Sequence, residues 1–379
     1  MAKIIIAGGG FGGIVAAQSL RNELGNEHDI LLISNLDKFY MRAAFPGVAI
    51  GHIDPEEIVL SLPELLHKRN IDFLAGDIEK VDPKEQKVYA SDQTIDYDYL
   101  VTAMGAHFAY EKIPGFKDYG HSLQTIDMAL ELRKAISSFK GGTFVAGVAA
   151  NSPCEGPALE VLFQLDHYLR EKGIRDQTEF HYFTAKPVAF APGGPVVQDF
   201  VKEQFEKHDV HLHVNVELSE IAENEVRFKD GPVLESQLSF IMPAYEGPKG
   251  LQGSGLEGEG GFVPVNEQLR SVHYPNVFAT GDMIQMVGPK MGHNAMAGAK
   301  VIARNIAHEL KVSNTNKLYT PEVLCVMEMG GDNAAYIEAD TIWGGTRSKV
   351  PVTGPVAAFM KKSFKEYFVR EQGNIDYIL

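Results

Sequence analysis

The sequence has little positive charge, few cysteines and no long apolar segment. Its 379 residues include 35 Lys and Arg against 50 Asp and Glu, which gives a net charge of −15 at pH 7. Because nucleic-acid binding needs a basic face, this balance argues against a nucleic-acid partner. No apolar run reaches the length of a transmembrane helix, and no basic segment followed by an apolar one precedes the first predicted strand. We therefore expect no membrane span and no signal peptide, in a chain long enough for two or three domains.

The two cysteines, Cys154 and Cys325, are too few for a framework of stabilising disulfides, so each needs its own explanation. Metal ligands are also sparse. On a strand, only His211 and His213 of the group His208, His211 and His213 would share a face, and no cysteine or carboxylate cluster completes a site. The sequence therefore predicts no metal centre.

The N-terminus, in contrast, carries a dense pattern. Residues 4–6 form a short apolar run typical of a strand buried on both faces, and apolar residues repeat at helical spacing over 14–20. The turn between them, Gly8–Gly13, has G-x-G-x-x-G spacing. The first glycine permits a sharp turn, the second lets a pyrophosphate approach the backbone, and the third lets the helix pack on the strand. The pattern predicts a dinucleotide-binding unit.

A second strand, predicted over 29–33, ends at Ser34 and Asn35. A dinucleotide-binding fold commonly carries an acid here for the ribose hydroxyls. The Ser34 hydroxyl can also bond a ribose; the alternative is that it only ends the strand. Residues 39–51, which include Arg42, indicate an irregular connection.

Further along the chain, residues 71–78 predict a strand with its turn, and residues 88–97 a small hairpin. Residues 97–106 predict a buried strand that closes on small residues, which let a backbone lie close to a cofactor. Residues 274–282 repeat this design with Asp282 at the tip. With the glycine turn, these segments resemble the FAD-contacting segments of flavoprotein reductases that have two dinucleotide domains, in which the last acid holds the ribityl chain.

Residues 289–300 open a predicted helix that runs to about Leu310. In the architecture that the chain resembles, the N-terminus of this helix points at the flavin pyrimidine ring. Its partial positive charge, with Lys290, would stabilise an anionic reduced flavin by about 0.3–2 kcal/mol. The alternative places Lys290 on the solvated surface. The FAD contacts implied by the resemblance are Gly8, Gly10, Phe11, Gly12, Gly13, Ser34, Asn35, Arg42, Ile78, Thr102, Ala103, Gly105, Gly281, Asp282, Lys290 and Gly292.

A second strand, turn and helix are predicted over 143–171, where a reductase of this architecture places its NAD(P)H-binding glycines. Those glycines are missing, because residues 148–153 after Gly147 are Val, Ala, Ala, Asn, Ser and Pro. Their Cβ atoms would block the close approach of a pyrophosphate, and no acid ends the next predicted strand, 179–183. We expect the fold of a dinucleotide domain without nicotinamide binding.

Cys154 lies where those glycines would be, just ahead of a helix that starts near Pro157. A helix N-terminus favours a thiolate over the reference pKa of about 8.5, so we expect a lowered pKa for Cys154. Cys325 lies on an apolar predicted strand and by itself indicates a small core residue.

Over nearly its whole length the chain resembles the sulfide:quinone oxidoreductases. The resemblance is carried by the segment Cys154-Glu155-Gly156-Pro157-Ala158, by Cys325 ahead of Met329-Gly330, and by the basic and aromatic segment 361–368. It implies an α/β fold with two Rossmann-like domains: an FAD domain (1–112 and 256–315), an inserted degenerate NAD-like domain (113–255) and a C-terminal domain (316–379) that contacts membrane and quinone.

The resemblance also implies that Cys154 and Cys325 lie beside the flavin ring and carry the sulfur chemistry. Many members have a third cysteine where this chain has Gln124, and in some it tethers FAD covalently, so we expect noncovalent FAD here. Histidines that flank the site in some relatives match Met128 and Ala191. Glu160, which matches an acid of the family, is a candidate for proton delivery; the alternative is an exposed helix carboxylate.

The C-terminal stretch 355–370 predicts an amphipathic helix with apolar residues four apart. Its lysines and aromatic residues suit an anionic bilayer surface. The alternative is an ordinary docked helix. The resemblance implies that Lys361 and Phe364 lie beside the quinone.

Together these features predict a peripheral, monotopic membrane enzyme on the cytoplasmic side, either monomeric or a homo-oligomer. It would use FAD to oxidise sulfide to zero-valent sulfur or polysulfide and would reduce a membrane quinone. The alternatives are a type II NADH:quinone oxidoreductase, a flavocytochrome-type sulfide dehydrogenase, and a flavin-binding protein without turnover.

Overall fold

The computed structural model describes residues 1–375; the last four residues of the predicted C-terminal domain, 376–379, lie outside this range. The helices of the described chain are α1 (Phe11–Leu24), α2 (Phe45–Ile50), α3 (Leu62–His67), α4 (Phe116–Tyr119), α5 (Ile126–Ser138), α6 (Gly156–Glu171), α7 (Gly194–Lys207), α8 (Gly292–Glu309) and α9 (Pro355–Arg370). The strands are β1 (Lys3–Ala7), β2 (Asp29–Ser34), β3 (Lys38–Tyr40), β4 (Val59–Ser61), β5 (Asp72–Ala75), β6 (Ile78–Asp82), β7 (Lys87–Ala90), β8 (Gln93–Asp96), β9 (Tyr99–Thr102), β10 (His107–Phe108), β11 (Gly142–Val148), β12 (Thr178–Thr184), β13 (Val210–His213), β14 (Leu218–Ala222), β15 (Glu225–Phe228), β16 (Val233–Glu235), β17 (Leu238–Met242), β18 (Tyr245–Glu246), β19 (Val277–Ala279), β20 (Val323–Glu328), β21 (Ala334–Ala339) and β22 (Ser348–Thr353).

The first sheet is parallel, with strand order β19-β9-β1-β2-β5. Its central strand β1 is buried over Ile4–Ala7, as expected for a sheet covered on both faces. Helices α1 and α8 pack against each other beside this sheet. A Cβ at Gly13 would lie 1.8 Å from the carbonyl oxygen of Gly8, so the third glycine of the turn permits the close contact between helix and strand.

The second sheet is also parallel, with strand order β13-β12-β11-β17. Strand β11 and helix α6 form the strand–turn–helix unit predicted over 143–171. Both sheets therefore have the doubly wound character inferred from the sequence, and the α/β fold class is confirmed.

Of two local expectations, one was confirmed and one was wrong. The predicted hairpin over 88–97 is present as β7 and β8, which pair antiparallel, and β6 extends it to a three-stranded sheet, β6-β7-β8. The segment 39–51 is not irregular: it contains part of β3, a 3-10 turn at Arg42–Ala44 and helix α2. Helix α2 is short and buried along its whole length, so it has no polar face to give a helical pattern.

The remaining small sheets are β3-β4, β10-β18, β14-β15-β16 and β20-β21-β22. The last is antiparallel, carries Cys325 on β20, and packs against α9.

Helix α9 is anchored at its C-terminal end. Phe368 is fully buried, and its ring lies 5.3 Å from that of Phe11 and 5.5 Å from that of Phe39. The apolar residues that recur every four positions along α9 are not uniformly buried, because Val356 is 60% exposed. Phe359, which lies outside this series, is 69% exposed. Over residues 1–375, every helix is too short or too polar to cross a bilayer.

Candidate active site

A cleft of about 1710 Å³ lies where the strands of the first sheet end. Residues that follow β1, β2, β5, β9 and β19 line it, which is the position where ligands bind in open α/β sheets. Residues at the start of α6, in β20 and in α9 also line it. The predicted site residues that line the cleft are Gly8, Gly10, Phe11, Gly12, Ser34, Asn35, Arg42, Ile78, Ala103, Gly105, Cys154, Glu160, Gly281, Asp282, Lys290, Gly292, Cys325, Lys361 and Phe364.

Two predicted FAD contacts do not line this cleft. The fully buried Thr102 lies behind its wall and donates a hydrogen bond through its hydroxyl to the carbonyl oxygen of Phe278, at 3.0 Å. Gly13 lies inside the contact between helix and strand. Both residues therefore have a packing role. The sequence pattern predicted them as FAD contacts because small residues occur both at cofactor contacts and at strand ends and helix–strand contacts.

The glycine turn fits a dinucleotide. Gly8 has φ +117°, and a Cβ there would lie 2.3 Å from the carbonyl oxygen of Ala103, so only glycine is compatible with this position. A Cβ at Gly10 would meet no atom within 4 Å, which leaves room beside the N-terminus of α1 for a phosphate. The Ser34 hydroxyl accepts a hydrogen bond from the backbone N–H of Leu36 at 3.2 Å and faces the same cleft.

Asp282, Arg42 and Lys290 form a charged group in the cleft. Burial raises the pKa of Asp282, and the positive charges of Arg42 and Lys290 oppose that rise. Lys290 is buried, and its ammonium group donates to the carbonyl oxygen of Ile284 at 2.5 Å. Burial lowers the pKa of Lys290 to about 8. The alternative of a solvated Lys290 is therefore excluded.

Cys154 and Cys325 come from segments far apart in the chain and line the same cleft. Cys154 precedes α6, and Cys325 lies on β20; both are free thiols and partly buried. Burial is the main cause that raises the pKa of Cys154, and negative charge on Cys325 raises it further. Burial also raises the pKa of Cys325, to about 12. The expected lowering of the Cys154 pKa was wrong, because desolvation outweighs the helix N-terminus in this chain.

A buried ion-pair network lies beside the cysteines. Lys361 of α9 lies 2.6 Å from Glu160 of α6 and 3.4 Å from Glu328 of β20. The Glu160 side chain is 8% exposed, which rejects the alternative of an exposed carboxylate. Burial raises the pKa of Glu160 to about 7, while Lys361 opposes the rise. The carboxylates in turn raise the pKa of Lys361, so its ammonium group stays charged.

Two lysines of α9 pair with carboxylates of the protein. Lys361 reaches Glu160, and Lys365 pairs with Glu57 at 2.9 Å. Glu328 was missed altogether, because its position at the end of an apolar strand carries no signal that it meets a lysine on a helix.

Two tyrosines were also missed. Tyr245 lines the cleft; burial raises its pKa, and negative charge on Cys154 raises it further, so Tyr245 remains a neutral hydroxyl. Tyr110 contacts a residue of the cleft: its hydroxyl lies 3.4 Å from the side-chain oxygen of Gln124 and 3.4 Å from the sulfur of Met128. No motif marks either tyrosine, because only the fold brings them to these positions.

Comparisons with known proteins agree with this geometry. A family model described as pyridine nucleotide-disulphide oxidoreductase matches residues 2–299. The chain belongs to that class of oxidoreductases.

Its relatives narrow the assignment. A sulfide-quinone reductase of Aquifex aeolicus (strain VF5) is 30% identical over 99% of this chain and 93% of its own length. The chain therefore belongs to the sulfide-quinone reductase family, which confirms the resemblance inferred from the sequence. A crystal structure of the sulfide:quinone oxidoreductase from the same bacterium superposes with a TM-score of 0.92 at 27% identity and covers 99% of this chain and 92% of that one. A mitochondrial sulfide:quinone oxidoreductase of Mus musculus is 23% identical over 89% of this chain and 78% of its own length.

Proposed function

We propose that this protein oxidises sulfide to zero-valent sulfur or polysulfide and passes the electrons through FAD to a membrane quinone. The observation that carries the proposal is the meeting of Cys154 and Cys325 in one cleft with the residues suited to a flavin dinucleotide. The names of the relatives support the choice of sulfide and quinone as substrates.

The residues of the cleft fit FAD. The N-terminus of α1 and the open space beside Gly10 would hold the pyrophosphate. Asp282 would hold the ribityl chain, and Lys290 would face the ring at the start of α8. FAD supplies a two-electron acceptor that can be reoxidised by a quinone. Binding is noncovalent in this proposal, because Gln124 has no thiol to form a tether.

The two cysteines perform the sulfur chemistry as a redox pair. Cys154 and Cys325, which are free thiols in the structure, become a disulfide when they lose two protons and two electrons, which FAD would accept. Hydrosulfide attacks one sulfur of this disulfide, which breaks the S–S bond and leaves a persulfide on one cysteine and a thiolate on the other. The persulfide and the thiolate then join in a bridge that is longer by one sulfur; the two electrons released would pass to FAD and the one proton to Glu160. Repetition lengthens the bridge to a polysulfide.

Glu160 accepts the proton in this proposal. Its pKa of about 7 lets the carboxylate take up a proton near neutral pH and release it afterwards. Glu160 is paired with Lys361 of α9, and Lys361 and Phe364, which line the cleft, would contact the quinone.

Helix α9 would also make the membrane contact. Val356 and Phe359 expose apolar side chains on its N-terminal half, and Lys362 is exposed beside them. Apolar and basic residues together favour an anionic bilayer surface. The enzyme would be a peripheral protein on the cytoplasmic side.

Anaerobic titration of the purified yellow protein tests this function. We expect sulfide to bleach the flavin absorbance with a two-electron stoichiometry, and a short-chain quinone to restore it. NADH is the control, since the turn after β11 lacks the glycines that nicotinamide binding needs. Bleaching by NADH and not by sulfide would replace the proposal with an NADH:quinone oxidoreductase.

A further inference from the structure

A buried carboxylate lies next to Cys154 in the chain. Glu155 is 3% exposed, and its side chain has three partners. One oxygen accepts from the ammonium group of Lys186 at 2.8 Å. The other accepts from the hydroxyl of Tyr182 at 3.2 Å and from the backbone N–H of Phe190 at 2.8 Å. Hydrogen bonds to an ionised group are stronger than those between neutral groups, so this side chain is firmly held.

The three donors surround the carboxyl end of β12. Tyr182 lies in this strand, Lys186 follows its last residue, Thr184, and Phe190 belongs to the next loop. Phe190 has φ +53°, which is uncommon for a bulky residue, so its surroundings must hold this conformation. Phe190 also lines the cleft that contains Cys154. The Glu155 side chain thus ties the cysteine turn to a second loop of the same cleft.

Glu155 is also the N-cap residue of helix α6. Its carbonyl oxygen accepts from the backbone N–H groups of Ala158 at 3.1 Å and Leu159 at 3.2 Å. A Cβ at Gly156 would meet no atom within 4 Å, so open space lies beside the turn there. Since neighbouring Cα atoms are about 3.8 Å apart, an anchored Glu155 restrains the backbone of Cys154.

We propose that Glu155 is a positioning residue whose side chain, held by Lys186, Tyr182 and Phe190, fixes the turn that presents Cys154 to the cleft. The turn between β11 and α6 is where a dinucleotide-binding domain would bind its pyrophosphate. Here a carboxylate of the protein occupies that turn and holds the reactive cysteine. The inference deepens the proposed function, because it explains how Cys154 is kept in place.

Alkylation of Cys154 tests the proposal without sulfide or quinone. In a Cys325→Ser background, Cys154 is the only thiol of the chain. The rate of reaction of the FAD-loaded protein with N-ethylmaleimide, measured against pH, gives both the thiol pKa and the rate constant of the thiolate. Negative charge on Glu155 raises the pKa of Cys154, so Glu155→Gln lowers that pKa through the loss of charge alone. The pKa therefore does not test the positioning role. The rate constant of the thiolate reports the position and exposure of the sulfur.

We expect Glu155→Gln and Lys186→Met each to raise the thiolate rate constant about tenfold or more, because each removes a charge-assisted hydrogen bond that holds the turn. Lys186→Met keeps the carboxylate, so a purely electrostatic role of Glu155 predicts no such rise in that variant. Glu203→Gln, on an exposed position of α7, is the matched control and should match the parent.

The proposal is overturned if Lys186→Met leaves the thiolate rate constant unchanged and Glu155→Gln alters only the pKa. If Glu155→Gln does not fold, Lys186→Met and Tyr182→Phe decide the question, since both retain the Glu155 carboxylate and each removes one of its hydrogen-bond donors. Failure of the proposed function would show differently, as a wild-type flavin that sulfide does not bleach.

Discussion

Replacing Lys361 by Met leaves two carboxylates without their shared cation. Glu160 is almost fully buried, and Glu328 is 26% exposed. Breaking a buried ion pair by removing one partner costs about 3–5 kcal/mol when the remaining charge stays ionised. Because Glu328 is partly solvated, we expect the loss to come mainly from Glu160. In the variant Glu160 can take up a proton, so the loss at pH 8 is limited to about 1.4 kcal/mol, which corresponds to the one pH unit between pH 8 and the wild-type pKa of about 7.

The loss of unfolding free energy in Lys361→Met should increase with pH. The pKa of Glu160 rises on folding from an ordinary value of 4.5 to about 7. A carboxyl group whose pKa is raised on folding lowers stability as the pH increases through this interval. In Lys361→Met the folded-state pKa rises further, since the opposing cation is gone. At pH 5.5 Glu160 is protonated in the folded wild type and in the folded variant, so this difference in unfolding free energy should fall to about 0.2 kcal/mol or less.

Urea unfolding of the FAD-loaded protein at pH 5.5 and 8, followed by the fluorescence of the single tryptophan, measures both values. Lys365→Met is the matched control one turn further along α9, because its partner Glu57 is half exposed and such a pair contributes about 1 kcal/mol or less. An equal loss at both pH values in Lys361→Met, or the same change of the loss between pH 5.5 and 8 in the two variants, would refute the reasoning.

The remaining predictions concern the proton acceptor, the glycine turn and the membrane contact. The rate of sulfide-dependent flavin reduction should fall below about pH 7 as Glu160 is protonated, and Glu160→Gln should remove this limb of the stopped-flow pH profile; a limb that persists assigns it to another group. Gly8→Ala should lower the melting temperature of the flavin-free chain because its Cβ would meet Ala103, whereas Gly10→Ala should spare that temperature and reduce FAD content; equal melting temperatures would contradict the steric argument. Phe359→Ser should weaken co-sedimentation with anionic vesicles several-fold without altering sulfide-dependent bleaching in solution, and unchanged sedimentation would remove α9 as the contact.

Local patterns were sufficient to predict the frame of the molecule. The strand–turn–helix at the N-terminus, the helix after Asp282 and the second unit without nicotinamide glycines are all set by short-range spacing, and each is present in the structure. Family resemblance placed Cys154 and Cys325 in one cleft although they are far apart in the chain.

The features of the site that could not be predicted depend on contacts between residues far apart in the chain. The contact of Lys361 with Glu160 joins residues 201 positions apart. The sequence of α9 does not show which of its lysines is buried, and the sequence of α6 does not show that Glu160 has a lysine partner. The raised pKa of Cys154 arises from burial by the assembled domains, which the preceding turn does not reveal. The partners of Glu155 likewise lie on a strand and a loop that meet it only in the folded chain.

Rapid mixing of sulfide with the oxidised, FAD-loaded protein under anaerobic conditions tests the central role of the cysteine pair most directly. Wild type, Cys154→Ser and Cys325→Ser would be followed by the decay of flavin absorbance. The account predicts fast bleaching in the wild type and none on the same timescale in either variant. Undiminished bleaching in either variant would contradict it.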